Sequence, residues 1–167
     1  YGMMTHQRNL FRHIRTRNRF SATSVDQLPH HLVSMWLYGH MLLMPIPDID
    51  RTDYFLMLGA NPLASNGSIW TVPDVRKRIK DLTARGGKLV VIDPRRTETA
   101  ELASEHHFIR PGTDAALLLA VLNVIFRDKL TALGALAAFT DGLEEVQSAV
   151  ASLTPEWAAS ITGCLLY

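Results

Sequence analysis

The chain has 167 residues, 47% of them hydrophobic, which is enough for one domain with a buried core. Its 17 Lys and Arg residues nearly balance its 16 Asp and Glu residues, so the net charge of +1 at pH 7 identifies no partner. A single cysteine excludes a disulfide framework and a four-cysteine zinc or iron–sulfur site within these residues.

The basic N-terminal segment, residues 1–25, carries five arginines and no acidic residue. Its stretch HQRNLFRHIRTRNRF, residues 6–20, indicates a basic helix, most simply a solvated face or a surface that docks on another segment. The alternative is that this basic helix is an arm that binds nucleic acid. The segment has no lysine, no repeat and no groove-reading motif, so we expect no nucleic-acid partner.

An amphipathic helix is predicted next, with Ser24 and Asp26 as candidate caps and Leu32, Met35 and Trp36 on its apolar stripe. Its histidines have no acid or cysteine at ligand spacing, so we expect no metal ligands here. The longest apolar run of the chain, residues 115–126, is too short to cross a bilayer, and we expect no membrane insertion.

A strand–helix–strand unit is predicted in the middle of the chain. Residues 54–59 form an apolar run typical of a buried strand, and KLVVID, residues 88–93, forms a second. Between them, residues 72–87 indicate a helix, with Asp74 at its positive end and a glycine pair after it. Such a unit places its two strands side by side and parallel, with a right-handed crossover.

The rest of the chain adds a short helix (TETAELAS), a third short strand (HHFIR) and a strongly apolar helix capped by Thr113 or Asp114. Residues 130–167 form a predicted helical extension. The expected fold class is α/β: a Rossmann-like, three-layer parallel sheet with flanking helices, incomplete in this chain, and a helical C-terminal part. We expect residues 1–167 to be a single domain of this kind.

Three polar segments follow the three predicted strands. They are GANPLASNGS, DPRRTET and RPGTD. Because the carboxyl ends of parallel strands meet at one edge of a sheet, we expect these segments to lie together and to form a ligand site. Alone, the first could be an ordinary turn and the third only a helix cap. The second is harder to explain structurally, because a cap needs one polar residue, whereas the charged residues Asp93, Arg95 and Arg96 all lie directly at the strand end.

Each segment offers a different kind of group. Glycines in the first let the backbone approach a ligand, and short polar side chains beside a helix start suit phosphate. In the second, Asp93 can accept from a ribose diol, and Arg95 and Arg96 can pair with phosphate. In the third, Asp114, positioned by Thr113, can accept from a guanine edge. Together they indicate a dinucleotide site with a preference for guanine.

Several familiar chemistries are missing from the sequence. No GxGxxG follows a strand, no GxxxxGK[ST] occurs and no nucleophile elbow is present. The lone cysteine has no evident activating neighbour. We therefore predict no catalytic residue and no metal ligand within this chain.

The stretches SATSVDQLPHH, PDIDRTDYFLMLGANPLASNGS and VVIDPRRTETAELASEHHFIRPGTDAALLLA resemble the molybdopterin oxidoreductases. These are the bis-molybdopterin-guanine-dinucleotide enzymes of the dimethyl sulfoxide reductase group, here closest to the formate dehydrogenase-like or assimilatory nitrate reductase-like branch. The resemblance runs from about Ser21 to about Gly163 and implies a domain that binds one dinucleotide arm of the molybdenum cofactor.

The resemblance also implies which residues bind that arm. Positions matching 58–65 would run along the phosphates and pterin arm, those matching 92–96 would hold the guanosine ribose and phosphate, and those matching 112–114 would read the guanine. The predicted cofactor-binding residues are Gly59, Ala60, Asn61, Pro62, Ser65, Ile92, Asp93, Pro94, Arg95, Arg96, Thr97, Gly112, Thr113 and Asp114.

The sequence also departs from the family pattern. Such enzymes run to several hundred residues and have an N-terminal cysteine cluster for a [4Fe–4S] centre and a Cys, selenocysteine or Ser on molybdenum, none of which matches a residue here. We therefore expect a fragment of a larger chain, inactive alone, with the [4Fe–4S] centre outside this segment. Its expected partners are the rest of the same enzyme and redox subunits.

Two other functions stay open at this point: a non-catalytic structural relative in a redox complex, and a guanine-nucleotide-binding module. The expected compartment is the cytoplasm, with the periplasm as the alternative. The substrate and the oligomeric state are not predicted.

Overall fold

The structure is a computed structural model that describes residues 2–14, 16–18, 20–67, 70 and 72–164. It divides into two compact units, residues 1–46 and residues 47–167. Within the described ranges, no helix is both long enough and apolar enough to cross a membrane.

The first unit consists of helix α1 (Gly2–Ile14), a 3-10 turn (Ala22–Ser24) and helix α2 (Leu28–Tyr38). The predicted basic helix is therefore present but ends at Ile14. The predicted caps of α2, Ser24 and Asp26, are wrong, because Gln27 occupies the N-cap position and makes no side-chain capping bond. A proline in the first turn starts the helix instead, since its missing N–H needs no partner there.

The second unit contains the parallel sheet. Its strands are β1 (Tyr54–Leu58), β2 (Lys88–Ile92) and β3 (Glu105–His107). Its helices are α3 (Pro62–Ser65), α4 (Val75–Ala84), α5 (Glu98–Glu101), α6 (Asp114–Arg127), α7 (Leu143–Val150) and α8 (Pro155–Thr162), with a 3-10 turn at Gly134–Phe139. The strands lie in the order β1-β2-β3, all parallel, which confirms the predicted pairing.

Helix α4 supplies one wall of the core. Its stripe of Val75, Ile79 and Leu82 is buried, as the spacing predicts, and packs with Met57 of β1 and with β2. Asp74 caps the helix by accepting from the Lys77 N–H at 3.2 Å. Ala100 of α5 packs against the same face of the sheet.

The opposite face of the sheet contacts the chain around α6. Ile92 of β2 packs there with Ile109 and with Leu117 of α6. All of residues 89–92 are buried, so β2 has apolar partners on both faces. A central parallel strand covered on both faces reads as an unbroken apolar run, and the sequence LVVI has that form.

The third strand is shorter and earlier than predicted. It spans Glu105–His107, whereas the pattern HHFIR placed a strand from residue 106 to residue 110. Its neighbour β2 ends at Ile92, which pairs with His107. Residues 108–110 therefore have no adjacent strand to bond with, and the chain leaves the sheet.

The C-terminal residues form the predicted helical extension, with one difference: the stretch GALAAF is a 3-10 turn. Helices α7 and α8 both pack against α6. Buried Asn123 of α6 donates both amide hydrogens to the end of α7, with its Nδ2 atom 2.9 Å from the Val150 oxygen and 3.0 Å from the Ala151 oxygen.

Candidate functional site

The three strands end at one edge of the sheet, and each is followed by a polar segment. The last residues of the strands, Leu58, Ile92 and His107, lie side by side in register. The ladder continues for one more step, because the Gly59 N–H donates to the Ile92 oxygen at 2.9 Å and the Asp93 N–H donates to the His107 oxygen at 3.1 Å. The predicted convergence of the first two segments is therefore confirmed, and the third starts three residues beyond β3.

In the first segment, Gly59 turns the chain away from the sheet. Its φ of +61° is disfavoured for residues with a side chain, and a Cβ placed there would have no heavy atom within 4 Å. Glycine is therefore favoured here by the backbone conformation, and the space beside it is open. Pro62 is buried at the start of α3, and the Ser65 hydroxyl is engaged locally, donating to the Asn61 oxygen and accepting from the Gly67 N–H, each at 3.2 Å.

Asn61 joins the first segment to the second. Its Nδ2 atom donates to Glu98 Oε2 at 2.8 Å, and its Oδ1 atom accepts from Thr99 Oγ1 at 2.7 Å. The same Thr99 hydroxyl accepts from the Leu63 N–H at 3.3 Å, and Thr99 is fully buried. Asn61 is one of the predicted cofactor-binding residues, and its side-chain amide connects the first two polar segments.

No role is predicted for Glu98 or Thr99 from the sequence alone. Both lie in the polar run RTET, which is longer than a helix cap requires and could have indicated a further contact. The Glu98 carboxylate accepts its own backbone N–H and the Asn61 amide, and these two bonds, in that order, hold the pKa of Glu98 below its usual range.

In the second segment, Asp93 is only 7% exposed. Its Oδ1 atom accepts from the Arg95 N–H at 2.8 Å, which closes a tight turn. Its Oδ2 atom accepts no hydrogen bond from any residue the structure describes. Thr97 is buried and caps α5, its hydroxyl accepting from the Ala100 N–H at 3.1 Å.

The two arginines of this segment differ. The Arg95 guanidinium lies 4.0 Å from the Glu98 carboxylate, a loose and exposed ion pair. The Arg96 guanidinium is exposed and has no hydrogen-bond or ionic partner within the described ranges. Arg96 is therefore the cation at this edge that is available to an anion.

The third segment is a tight turn that starts at Arg110. Gly112 adopts a φ of +77° with open space at its Cβ position. Thr113 occupies the N-cap position of α6, one of the two predicted, but its hydroxyl donates to the Arg110 oxygen at 2.7 Å and makes no capping bond to the helix. Asp114 is the first residue of α6, and its exposed carboxylate has no partner in the part of the chain described.

Among the described residues of the three segments, three charged groups have no protein partner: Asp93 Oδ2, the Arg96 guanidinium and the Asp114 carboxylate. An acceptor, a cation and a second acceptor match the diol, the phosphate and the guanine edge of a guanosine nucleotide. Among the residues described, no group of three or more His, Cys, Asp or Glu side chains could hold a metal ion.

A small parallel sheet with helices packed on both faces places this chain among the α/β folds. Comparison with known proteins gives the family. The profile of the family "Molybdopterin oxidoreductase" matches residues 6–154, and this chain belongs to that family. Membership implies a molybdenum–pterin cofactor.

Several curated proteins are similar to this chain. Formate dehydrogenase H of Escherichia coli is 36% identical over 71% of this chain and 16% of its own length. The F420-dependent formate dehydrogenase subunit alpha of Methanocaldococcus jannaschii is 35% identical over 71% of this chain and 17% of its own. The molybdopterin-containing subunit of thiosulfate reductase from Salmonella typhimurium is 32% identical over 86% of this chain and 18% of its own.

Among solved structures, acetylene hydratase from Pelobacter acetylenicus superposes with a TM-score of 0.58 and 32% identity, covering 71% of this chain and 16% of that one. The chain therefore spans less than a fifth of the length of these relatives, and it shares their fold over most of its own.

Proposed function

We propose that this chain binds one guanine dinucleotide arm of a molybdenum cofactor, as the Rossmann-like part of a molybdopterin-dependent oxidoreductase of the formate dehydrogenase or nitrate reductase kind. The observation that carries the proposal is the register of the strand ends, which starts the first two polar segments side by side at one edge of the sheet. The third segment follows three residues beyond β3. The bound cofactor would supply two-electron redox chemistry at molybdenum.

In this proposal the residues of the chain bind and orient. The second oxygen of Asp93 accepts from the ribose diol while its first oxygen keeps the turn closed. Arg96 pairs with phosphate, and the open backbone at Gly59 lets the pyrophosphate lie close to the sheet. Asp114 accepts from the N1–H and the exocyclic amine of guanine.

The remaining partners belong to the same proposal. The rest of the same enzyme, redox subunits and a [4Fe–4S] centre would lie outside these residues, in the cytoplasm or, as the alternative, in the periplasm. We expect no turnover from the isolated chain, since no residue in it is assigned to the reacting atom. Molybdenum-dependent turnover of formate or nitrate by the 167-residue chain would contradict this part.

Guanine recognition can be tested by calorimetric titration with GDP and ADP. Asp114→Asn removes one acceptor charge at the guanine edge, and we expect GDP binding to weaken about 10- to 100-fold, because a bidentate contact to a base edge is worth about 1–3 kcal/mol. ADP binding should change little. Exposed Glu144→Gln on α7 is the matched control. Equal GDP affinity in wild type and Asp114→Asn would reject the guanine assignment.

Ribose and phosphate recognition need separate variants. Asp93→Asn keeps an oxygen for the Arg95 N–H, so it removes the charge without opening the turn, and it should weaken GDP and ADP alike. Arg96→Gln should weaken GDP but leave guanosine binding unchanged, since guanosine has no phosphate. Arg76→Gln, an exposed arginine on α4, controls for charge alone. Nucleotide binding that none of these variants alters would reject the assigned contacts, and absence of nucleotide binding would favour a non-catalytic structural role for this domain.

A further inference from the structure

The C-terminal helix α8 is attached to the turn that precedes Asp114. The Arg110 backbone N–H donates to the Thr162 oxygen at 2.8 Å. The Arg110 guanidinium, through Nη1, donates to the Ile161 oxygen at 3.1 Å and to the Ser160 oxygen at 3.3 Å. One residue therefore supplies donors to three successive carbonyls at the end of α8.

These contacts suit the chemistry of a helix end. The last carbonyls of a helix have no intrahelical donor, and they carry the negative end of its dipole, so a guanidinium there is stabilising. Arg110 makes no ion pair with a carboxylate in the described part of the chain. Its charge is therefore directed to α8, although it lies in the same turn as the predicted guanine-reading residues.

The same turn is closed through Arg110. The Arg110 oxygen accepts from both the hydroxyl and the N–H of Thr113, at 2.7 Å and 3.3 Å. Beyond the turn, α6 begins with Asp114 and packs against α8. Helix α8 thus contacts both Arg110, at the start of the turn, and α6, which follows the turn.

We propose that α8 is a brace that sets the conformation of the turn from Arg110 to Asp114, and that Arg110 is a positioning residue for guanine recognition. The proposal rests on the proposed function, because it assumes that Asp114 reads guanine. The proposal gives the helical extension, residues 130–167, a role in specificity. A substitution at the end of α8 would change the affinity for guanine through the turn, although it removes no group that contacts the nucleotide.

The test uses variants of the 167-residue chain and compares GDP with ADP. Arg110→Ala should lower the ratio of GDP to ADP affinity by about three- to tenfold, the net value of about one ordinary hydrogen bond. Arg110→Lys should restore part of that ratio, since an ammonium can still reach a carbonyl. A merely structural role would weaken both nucleotides equally and leave the ratio unchanged.

A second variant acts from α8. Gly163 has a φ of +66° at the end of the helix, so Gly163→Ala strains the carbonyls that Arg110 contacts. Gly142→Ala is the matched control, because Gly142 has a φ of +76° at the start of α7, away from the turn. We expect Gly163→Ala to lower the GDP to ADP ratio about threefold and Gly142→Ala to leave it unchanged.

The outcomes separate the two proposals. If Asp114→Asn leaves GDP binding unchanged, the guanine site itself is wrong. If Asp114→Asn weakens GDP binding but Arg110→Ala and Gly163→Ala leave the ratio unchanged, only the brace is wrong. Thermal unfolding of each variant identifies any loss that comes from an unfolded chain, and the ratio is read only below its transition.

Discussion

Asn61, Asp93 and Thr97 show how a residue at this edge can serve the fold. The Asn61 amide is bonded at both ends to the second segment, Asp93 uses one oxygen to close its own turn, and Thr97 caps a helix. Only Asp93 keeps a free acceptor for a ligand. The polar side chains of these segments therefore fall into two groups. Most of them hold the loops together, and fewer remain available to a ligand.

The buried Thr99 hydroxyl should matter more for stability than its place in a polar loop suggests. Thr99→Val keeps the shape but leaves Asn61 Oδ1 and the Leu63 N–H without their partner. We expect a loss of about 1–3 kcal/mol in the free energy of unfolding, measured by urea denaturation. Thr83→Val on α4, at an exposed position, should cost less than about 0.5 kcal/mol. Equal effects at both sites would contradict the link between the loops.

The glycine pair after α4 separates two reasons for glycine. Gly86 has a φ of +87° with nothing within 4 Å of its Cβ position, whereas a Cβ on Gly87 would lie 2.4 Å from Leu82 Cδ1 and 3.0 Å from the Asp53 oxygen. Asparagine tolerates the left-handed conformation, so Gly86→Asn should cost under about 1 kcal/mol. Gly87→Asn should cost about 3 kcal/mol, because the side chain has no room. Urea midpoints would show the difference, and similar midpoints would refute it.

At the scale of elements, the apolar pattern predicts the longer helices and the first two strands of the sheet well, but not β3 or the short helix α3. Strand β2 and helix α4 depend on local runs of side chains, and both lie where the sequence places them. Their ends are less predictable. Strand β3 stops where its neighbour stops, which depends on pairing between segments distant in the sequence.

The contacts that tie elements together could not be predicted from the sequence. Asn61 bonds to Thr99, and Arg110 bonds to Ser160. Nothing in the local pattern distinguishes such a side chain from one that awaits a ligand, since both are polar residues at a strand end. The location of the candidate site followed from the sequence, but the division between structural and available groups required the tertiary contacts.

Asn123 is the clearest such contact between helices. Asn123→Asp replaces the donor with an acceptor facing the Val150 and Ala151 carbonyls, so we expect a loss of about 3 kcal/mol or more at pH 7. Protonation of the new carboxyl restores a donor, and the loss should shrink at pH 4. Gln147→Glu on the exposed side of α7 adds the same charge and should change stability little. Thermal unfolding at both pH values tests this, and a loss independent of pH would contradict it.

At the scale of the whole unit, Cys164 reports whether α8 stays docked. It follows α8, is 2% exposed, and burial raises the pKa of its thiol. The thiolate is the reactive form, so both its small population and its burial slow alkylation at pH 8. The rate should keep rising with pH beyond the range in which a free thiol titrates.

An internal reference makes the rate interpretable. Ser148→Cys adds an exposed thiol on α7 of the same chain, and mass spectrometry after iodoacetamide treatment resolves the two sites. We expect Cys164 to react about 10- to 100-fold more slowly than the added cysteine, and equally fast in concentrated urea. Because Arg110 holds the end of α8, Arg110→Ala should speed the labelling of Cys164 alone. Equal rates in the folded chain would mean that α8 is not held against α6.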